Sequence, residues 1–336
     1  MNLSKTPITT ILIVALTFGI SWAAKVHEIE SAKVGQPPKI DGKADDAAWK
    51  KAKEITVEAE DGPELSIRSV YTDKEVFFLF LWEDKDESIS QNMWVYDGSK
   101  WGIKQEVRFE GEEGWEADSD RLAFQWVIND SIPAFKEKGC KKICHSPEKE
   151  DKMYTDSAAE RTDIWHWVSS TTNPLGYADD DYLDNSNLTK AKEKDKNKRI
   201  NIAHKSDDGG RGNQQYERND AGGKPKFMPK KKGAGFIIAG SSAPLSGPFK
   251  KGDLIPGYVL SKPKGSRGDI AAKGKYSADD FLWTLEIKRS LVTNDKKNDV
   301  QFVDRKKPYY FGLAVWDNDE LYNHTRVKKP MKLEFK

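Results

Sequence analysis

Leu65 to Tyr71 alternates apolar with polar residues, and Val76 to Trp82 is a dense apolar and aromatic run. Period-two alternation is the pattern of a strand with one face in a core, and Asp73-Lys74 supplies a tight turn between the two runs, so this stretch reads as a β-hairpin. The same reading places strands at Arg121–Ile128, Gly235–Ala239, Gly274–Tyr276, Phe281–Arg289, Tyr309–Trp316 and Met331–Phe335. Long helical periodicity and internal repeats are lacking. Many short strands separated by turn clusters predict an all-β chain, an antiparallel β-sandwich with long loops. Eleven tryptophans provide bulk for its core. Asp41-Gly42 is a further turn signal, and the residues after it can form one helical turn that plants Trp49 in that core.

The N-terminus has a different pattern. Lys5 precedes an almost unbroken apolar run from Ile8 to Ile20, and Ser21-Trp22-Ala23 offers small residues for a signal peptidase. This predicts a secretory signal over residues 1–23, too short for a comfortable membrane span. Residues 24–336 then form one domain on an exported, periplasmic protein, with no transmembrane segment after cleavage. Within it, residues 185–232 are dominated by Lys, Asp, Asn, Gly and Gln and cannot bury enough surface alone to offset their ordering entropy. The net charge of +1 gives no reason to expect a nucleic acid or an anionic membrane as partner.

Chemistry concentrates at Gly139-Cys140-Lys141-Lys142-Ile143-Cys144-His145, which holds both cysteines of the chain and one of its five histidines. Two nearby thiols followed at once by an imidazole read as a covalent haem attachment site. Each thiol can add to a haem vinyl group, and the adjacent imidazole can take the iron. The usual spacing has two residues between the cysteines, whereas here there are three. A Cys140–Cys144 disulfide is the competing reading, but so small a loop restricts the unfolded chain little and leaves His145 without a role. Zinc would need two further strong ligands. One haem c, held by Cys140 and Cys144 with His145 as proximal ligand, is the expectation, and it agrees with export.

Asp179-Asp180-Asp181 with Asp184 offers carboxylates to calcium, but lacks the glycine and distal glutamate of a calcium hand, so acidic turn residues in water are the favoured reading there. Nucleophile–base pairs, phosphate loops and metal-histidine motifs are not found, and an electron carrier rather than an enzyme is expected.

Ile40-Asp41-Gly42-Lys43 through Trp49, Asp163-Ile164-Trp165-His166-Trp167, and Asn173-Pro174-Leu175-Gly176-Tyr177-Ala178-Asp179-Asp180 resemble the haem-binding domain related to the gamma subunit of ethylbenzene dehydrogenase. Gly268 to Gly274 and Phe311 to Asp317 fit the same pattern. The resemblance implies a sandwich of the DOMON or carbohydrate-module-nine type holding one haem. It also implies electron transfer beside the catalytic and iron–sulfur subunits of a molybdenum oxidoreductase of the dimethyl sulfoxide reductase class, onward to a soluble or membrane acceptor. The best-known members bind haem b through a methionine and a lysine, whereas the cysteines here suggest a cytochrome c branch, with His145 in the methionine's place. His324 lies about where the family's C-terminal lysine ligand lies and is the preferred distal ligand. Met153, eight residues after His145, is the alternative and would raise the potential. Lys273, Lys275 and Met228 are weaker options. Trp165 and Trp167 are expected to wall the haem pocket, and His166 between them to pack or hydrogen-bond. A carbohydrate-binding module without haem, and a haem-bearing structural or sensor subunit, are the rival readings.

Overall fold

The computed structural model describes residues 26–89, 92–103, 119–143, 154–187, 205–208, 213–231, 235–317 and 324–336. Its main sheet has thirteen strands. In chain order they are β1 (His27–Lys33), β2 (Ile55–Glu60), β3 (Glu64–Tyr71), β4 (Glu75–Glu83), β5 (Arg121–Val127), β6 (Thr162–Val168) and β7 (Tyr177–Leu183). There follow β8 (Lys205–Ser206), β9 (Ile270–Ser277), β10 (Leu282–Ser290), β11 (Tyr309–Trp316), β12 (Thr325–Val327) and β13 (Met331–Phe335).

The all-β expectation holds, but the sandwich needs correction. Ten strands pair in the order β11–β12–β2–β3–β4–β10–β9–β7–β6–β5, and β5 pairs back onto β11, so the sheet closes like a barrel. β11 makes the closure possible. Phe311–Trp316 pairs with β5 along one edge, while its other edge takes β12 and β13 in turn. Nor is the sheet wholly antiparallel, because β1 runs parallel to both β13 and β3. Alternation reports only that one face of a strand is buried, which a sandwich and a closed barrel require equally.

The β3–β4 hairpin forms as the sequence predicts, with Tyr71 opposite Val76. Inward residues fill the barrel with aromatic rings: Phe78, Phe80 and Trp82 from β4, Phe124 and Trp126 from β5, Trp165 and Trp167 from β6, Trp283 from β10 and Phe311 from β11. Trp126 and Phe311 lie 4.2 Å apart by ring centroids. Each such side chain contributes on the order of 1.5–3 kcal/mol through burial, so the barrel interior dominates the stability.

Outward residues of β4 are buried as well. Phe77 and Leu79 are covered by the segment that carries Trp49, which sits on a single 3-10 turn, Trp49–Lys51. The clamp on that segment is Glu286 of β10, wholly buried. Its Oε2 accepts the backbone N–H groups of Asp41 at 2.9 Å, Gly42 at 2.9 Å and Lys43 at 3.3 Å, and its Oε1 accepts Trp49 Nε1 at 2.8 Å. Burial pushes this carboxyl up and the four donors pull it back. Gly42 has φ +77, and a Cβ there would lie 2.9 Å from the Lys275 Cβ, so glycine is required by both conformation and space. The Asp41-Gly42 to Trp49 stretch is thus a carboxylate cradle, with function in folding.

Part of the 185–232 excursion folds. Tyr216–Arg218 pairs with Tyr258–Leu260, and Phe227–Pro229 with Ser242–Pro244. Buried Asn219 ties them together, donating to the carbonyls of Phe227 and Pro256 and accepting the Phe227 N–H. Trp94, Ile237 and Ile255 make a small core beside it, against which Met228 packs. The strand expected at Gly235–Ala239 shortens to Ile237–Ile238.

Candidate functional site

β5, β6 and β11 lie side by side, and their outer faces are built unlike their inner ones. Register puts Gln125 between Ile164 and Gly312, Ala123 between His166 and Ala314, and Arg121 between Val168 and Trp316. Arg326 of β12 continues the middle row beyond Ala314. Ala123, Gly312 and Ala314 give this face a low floor, bounded by longer polar and aromatic side chains.

Cys140 rests on that floor. β5 ends at Val127, and the chain returns over the outer face through the short helix Phe135–Lys138 and the 3-10 turn Gly139–Lys142. Gly139, at φ +60, makes the sharp change between them. Cys140 is buried with Phe135, Ile143, Ile164 and Leu183. A Cβ on Gly312 would stand 2.8 Å from the Cys140 Cβ, so the close approach of this turn to β11 depends on glycine. Burial pushes the Cys140 thiol up, and the guanidinium of Arg326, hydrogen-bonded to it, acts in the opposite sense.

His324 lies half-buried on the same face, its ring 4.8 Å from that of Trp316. The His166 ring is 5.5 Å from that of Trp316 and is buried. The structure therefore gathers Cys140, Arg326, His166, Trp316 and His324 over one small-residue floor. Cys144, His145 and Met153 lie outside the described residues, as does the signal segment.

Trp165 and Trp167 need a different role from the expected haem wall. Strand alternation sends them inward, opposite to His166, and both are fully buried in the barrel. Trp165 carries the Arg289 guanidinium 5.0 Å from its ring centre, and Trp167 packs edge-on to Trp82 and Trp283. The residue of that run that reaches the floor is His166. Of the weaker ligand options, Lys273 donates to the Asn173 carbonyl at 3.2 Å and Met228 packs in the small core.

The acidic run is also corrected. Asp179, Asp180 and Asp181 are buried on β7 rather than exposed in a turn. Alternation sends Asp180 inward to Arg289 at 2.8 Å and Asp179 outward to Arg267, which clasps it through Nε at 2.7 Å and Nη2 at 2.8 Å. Asp184 is held by Lys205 at 3.0 Å. These carboxylates do not converge on one point.

A haem is the group the sequence implies, and the chemistry of this face fits one. A thiol and two imidazoles lie over this face, and Ala123, Gly312 and Ala314 between them are small side chains.

A closed all-β barrel with a cysteine and two histidines over one outer face defines the class. A profile of the ethylbenzene dehydrogenase family matches residues 33–327, and the chain belongs to that family. Comparison with curated proteins gives no match. Among solved structures, a carbohydrate binding module family 9 from Caldicellulosiruptor kristjanssonii in complex with cellotriose is similar at 8% identity and a TM-score of 0.32, covering 92% of this chain and 94% of that one. A putative carbohydrate-binding protein from Bacteroides uniformis is similar at 8% identity and a TM-score of 0.36, covering 93% of this chain and 100% of that one.

Proposed function

We propose that the protein is an exported monohaem c-type cytochrome that passes single electrons as the gamma-type subunit or partner of a molybdenum oxidoreductase. The observation that carries this reading is the placement of Cys140 and His324, 184 residues apart, on one face of the barrel, within a family whose members are associated with molybdoenzymes. Cys140 and Cys144 would anchor the porphyrin, His145 would be the proximal ligand and His324 the distal one. Bound there, the haem supplies a reversible one-electron couple.

The chain's own residues prepare the face for that role. Gly312 lets the Cys140 turn seat against β11, and Arg326 places a positive charge beside the sulfur. Trp316 fixes the His324 ring by contact, which limits the rotation a ligand would otherwise lose on binding. His166, buried beside Trp316, offers a second polar group at the floor. Export to the periplasm accords with covalent haem attachment and with the apolar N-terminal run.

Sugar binding through exposed tryptophan platforms receives no support from this arrangement. Trp22 and Trp115 lie outside the described residues, and of the other nine tryptophans all but Trp101 are buried. The test is a spectroelectrochemical titration of the exported protein, alone and then with a reduced molybdenum and iron–sulfur partner. A single one-electron wave, with reduction by the partner within milliseconds to seconds, is expected. A protein that carries haem but neither accepts nor donates electrons would support the structural or sensor role instead.

A further inference from the structure

The end of the barrel where β10 finishes holds a second group of titratable side chains. Arg289, wholly buried at the end of β10, is ringed by Asp163, Asp180 and Asp299. Its Nη2 lies 2.8 Å from an Asp180 oxygen and 2.6 Å from Asp299 Oδ2. Asp163 Oδ2 also accepts the Val300 N–H at 2.7 Å, and Asp299 Oδ2 accepts the Ser266 hydroxyl at 3.1 Å. Those contacts account for one oxygen of each carboxylate.

Asp299 belongs at the same time to a second triad, with Asp207 and Asp295, whose ligand oxygens all lie within 4.8 Å of one another. Arg289 touches this triad through Asp299. Asp207 is wholly buried, and neither of its oxygens has a hydrogen-bond donor; Asp299 Oδ1 is in the same condition. The Asp207 backbone is fixed by its N–H donating to the Asp180 carbonyl at 3.0 Å. The Asp295 carboxylate is fixed by the N–H groups of Lys297 and Asn298, each at 2.9 Å. Asp163, Asp180 and Asp299 already share one guanidinium, and with Asp207 buried beside them like charges at this range cannot all ionise without a further positive charge.

We propose that Asp207, Asp295 and Asp299 bind one divalent oxygen-seeking cation of the calcium class. The ion rivets the Lys205–Asp208 segment to the loop 291–308, whose Val300 and Phe302 plug this end of the barrel. Three carboxylates on two segments, without a rigid octahedral frame, suit calcium's larger and more tolerant coordination better than magnesium's. Entry is through a groove of about 620 Å³ lined by Asp208, Gly265, Ser266, Asp269, Asn294 and Asp295, whose carboxylates would draw a cation in. Of the three ligands, Asp295 faces this groove.

The test uses the full exported protein, depleted with a chelator and then titrated with calcium chloride. The readouts are bound metal per chain and the melting temperature, with haem content recorded in parallel so that the two sites are judged separately. One calcium per chain and a rise of about 5 °C at saturation are expected, with a much weaker response to magnesium. Asp207→Asn should abolish both effects. Its amide can donate to Asp299, so the folded state survives the change. Asp295→Asn, at a half-exposed position, should weaken binding at least tenfold and serves if the first variant does not fold. Identical melting in chelator and in millimolar calcium would overturn the proposal and leave a proton shared by Asp207 and Asp299. Calcium binding undiminished in Asp295→Asn would overturn the assignment of the site.

Discussion

The two faces of β5, β6 and β11 are made by alternate residues of the same strands, yet they do opposite things. Inward, Phe124, Trp126, Trp165, Trp167 and Phe311 interlock in a packed interior. Outward, Ala123, Gly312 and Ala314 leave a floor on which Cys140, His166, Trp316 and His324 meet. Bulk on one side supplies rigidity, and its deliberate lack on the other makes room for chemistry. A one-residue slip of register would exchange them, and the aromatic interior is what forbids it.

The sharpest contrast should come from truncating the inner face. Trp165→Ala removes one of the two indoles of β6 and the stacking surface of Arg289, and is expected to cost about 3–5 kcal/mol in urea unfolding. On the outer face a single added carbon should matter through position. Gly312→Ala forces the Cys140 turn off β11 and is expected to cost about 1–3 kcal/mol, together with a lower fraction of chains that retain haem. If Gly312→Ala left stability and haem retention unchanged, the proposed seating of Cys140 would be wrong.

A pH effect is expected away from both faces. Asp84, just after β4, has its carboxyl pushed up from 3.8 to about 6 by burial and by Asp317. The folded state therefore binds this proton more tightly than the unfolded one. Its contribution to stability is full below about pH 4 and is lost as pH rises through about 6. Asp84→Asn should flatten the stability profile over that window, measured by melting between pH 4 and 7. The smallest change in stability is expected for His324→Ala, below about 1 kcal/mol at a half-buried position. Its visible spectrum should nonetheless shift from six-coordinate low-spin to five-coordinate high-spin iron.

Strands were readable wherever apolar residues set the pattern, as in the β3–β4 hairpin and β11. β7 was hidden because Asp179, Asp180 and Asp181 look like a solvated turn. Their burial depends on Arg267 and Arg289, about ninety and one hundred and ten residues further on, and no local rule links such partners. Closure of the barrel was equally invisible, since it rests on which strand β11 meets at each edge. In the candidate site, Cys140 could be named from type and spacing, and His324 only from the resemblance to the family. The inward turn of Trp165 and Trp167, and the outward turn of His166, follow from strand parity. That parity was available once Asp163–Val168 was seen as a strand, but the Trp-His-Trp run was read as a motif instead.

The central claim is that the Cys140 face carries covalently attached haem. Its most direct test is acid-acetone extraction of the exported protein, made in cells able to mature c-type cytochromes, followed by a pyridine haemochrome spectrum and the mass of the denatured chain. Haem that remains with the polypeptide, as one added haem mass on the peptide spanning Cys140 and Cys144, is the predicted result. Haem that passes into the acetone, or a chain that carries none, would contradict it.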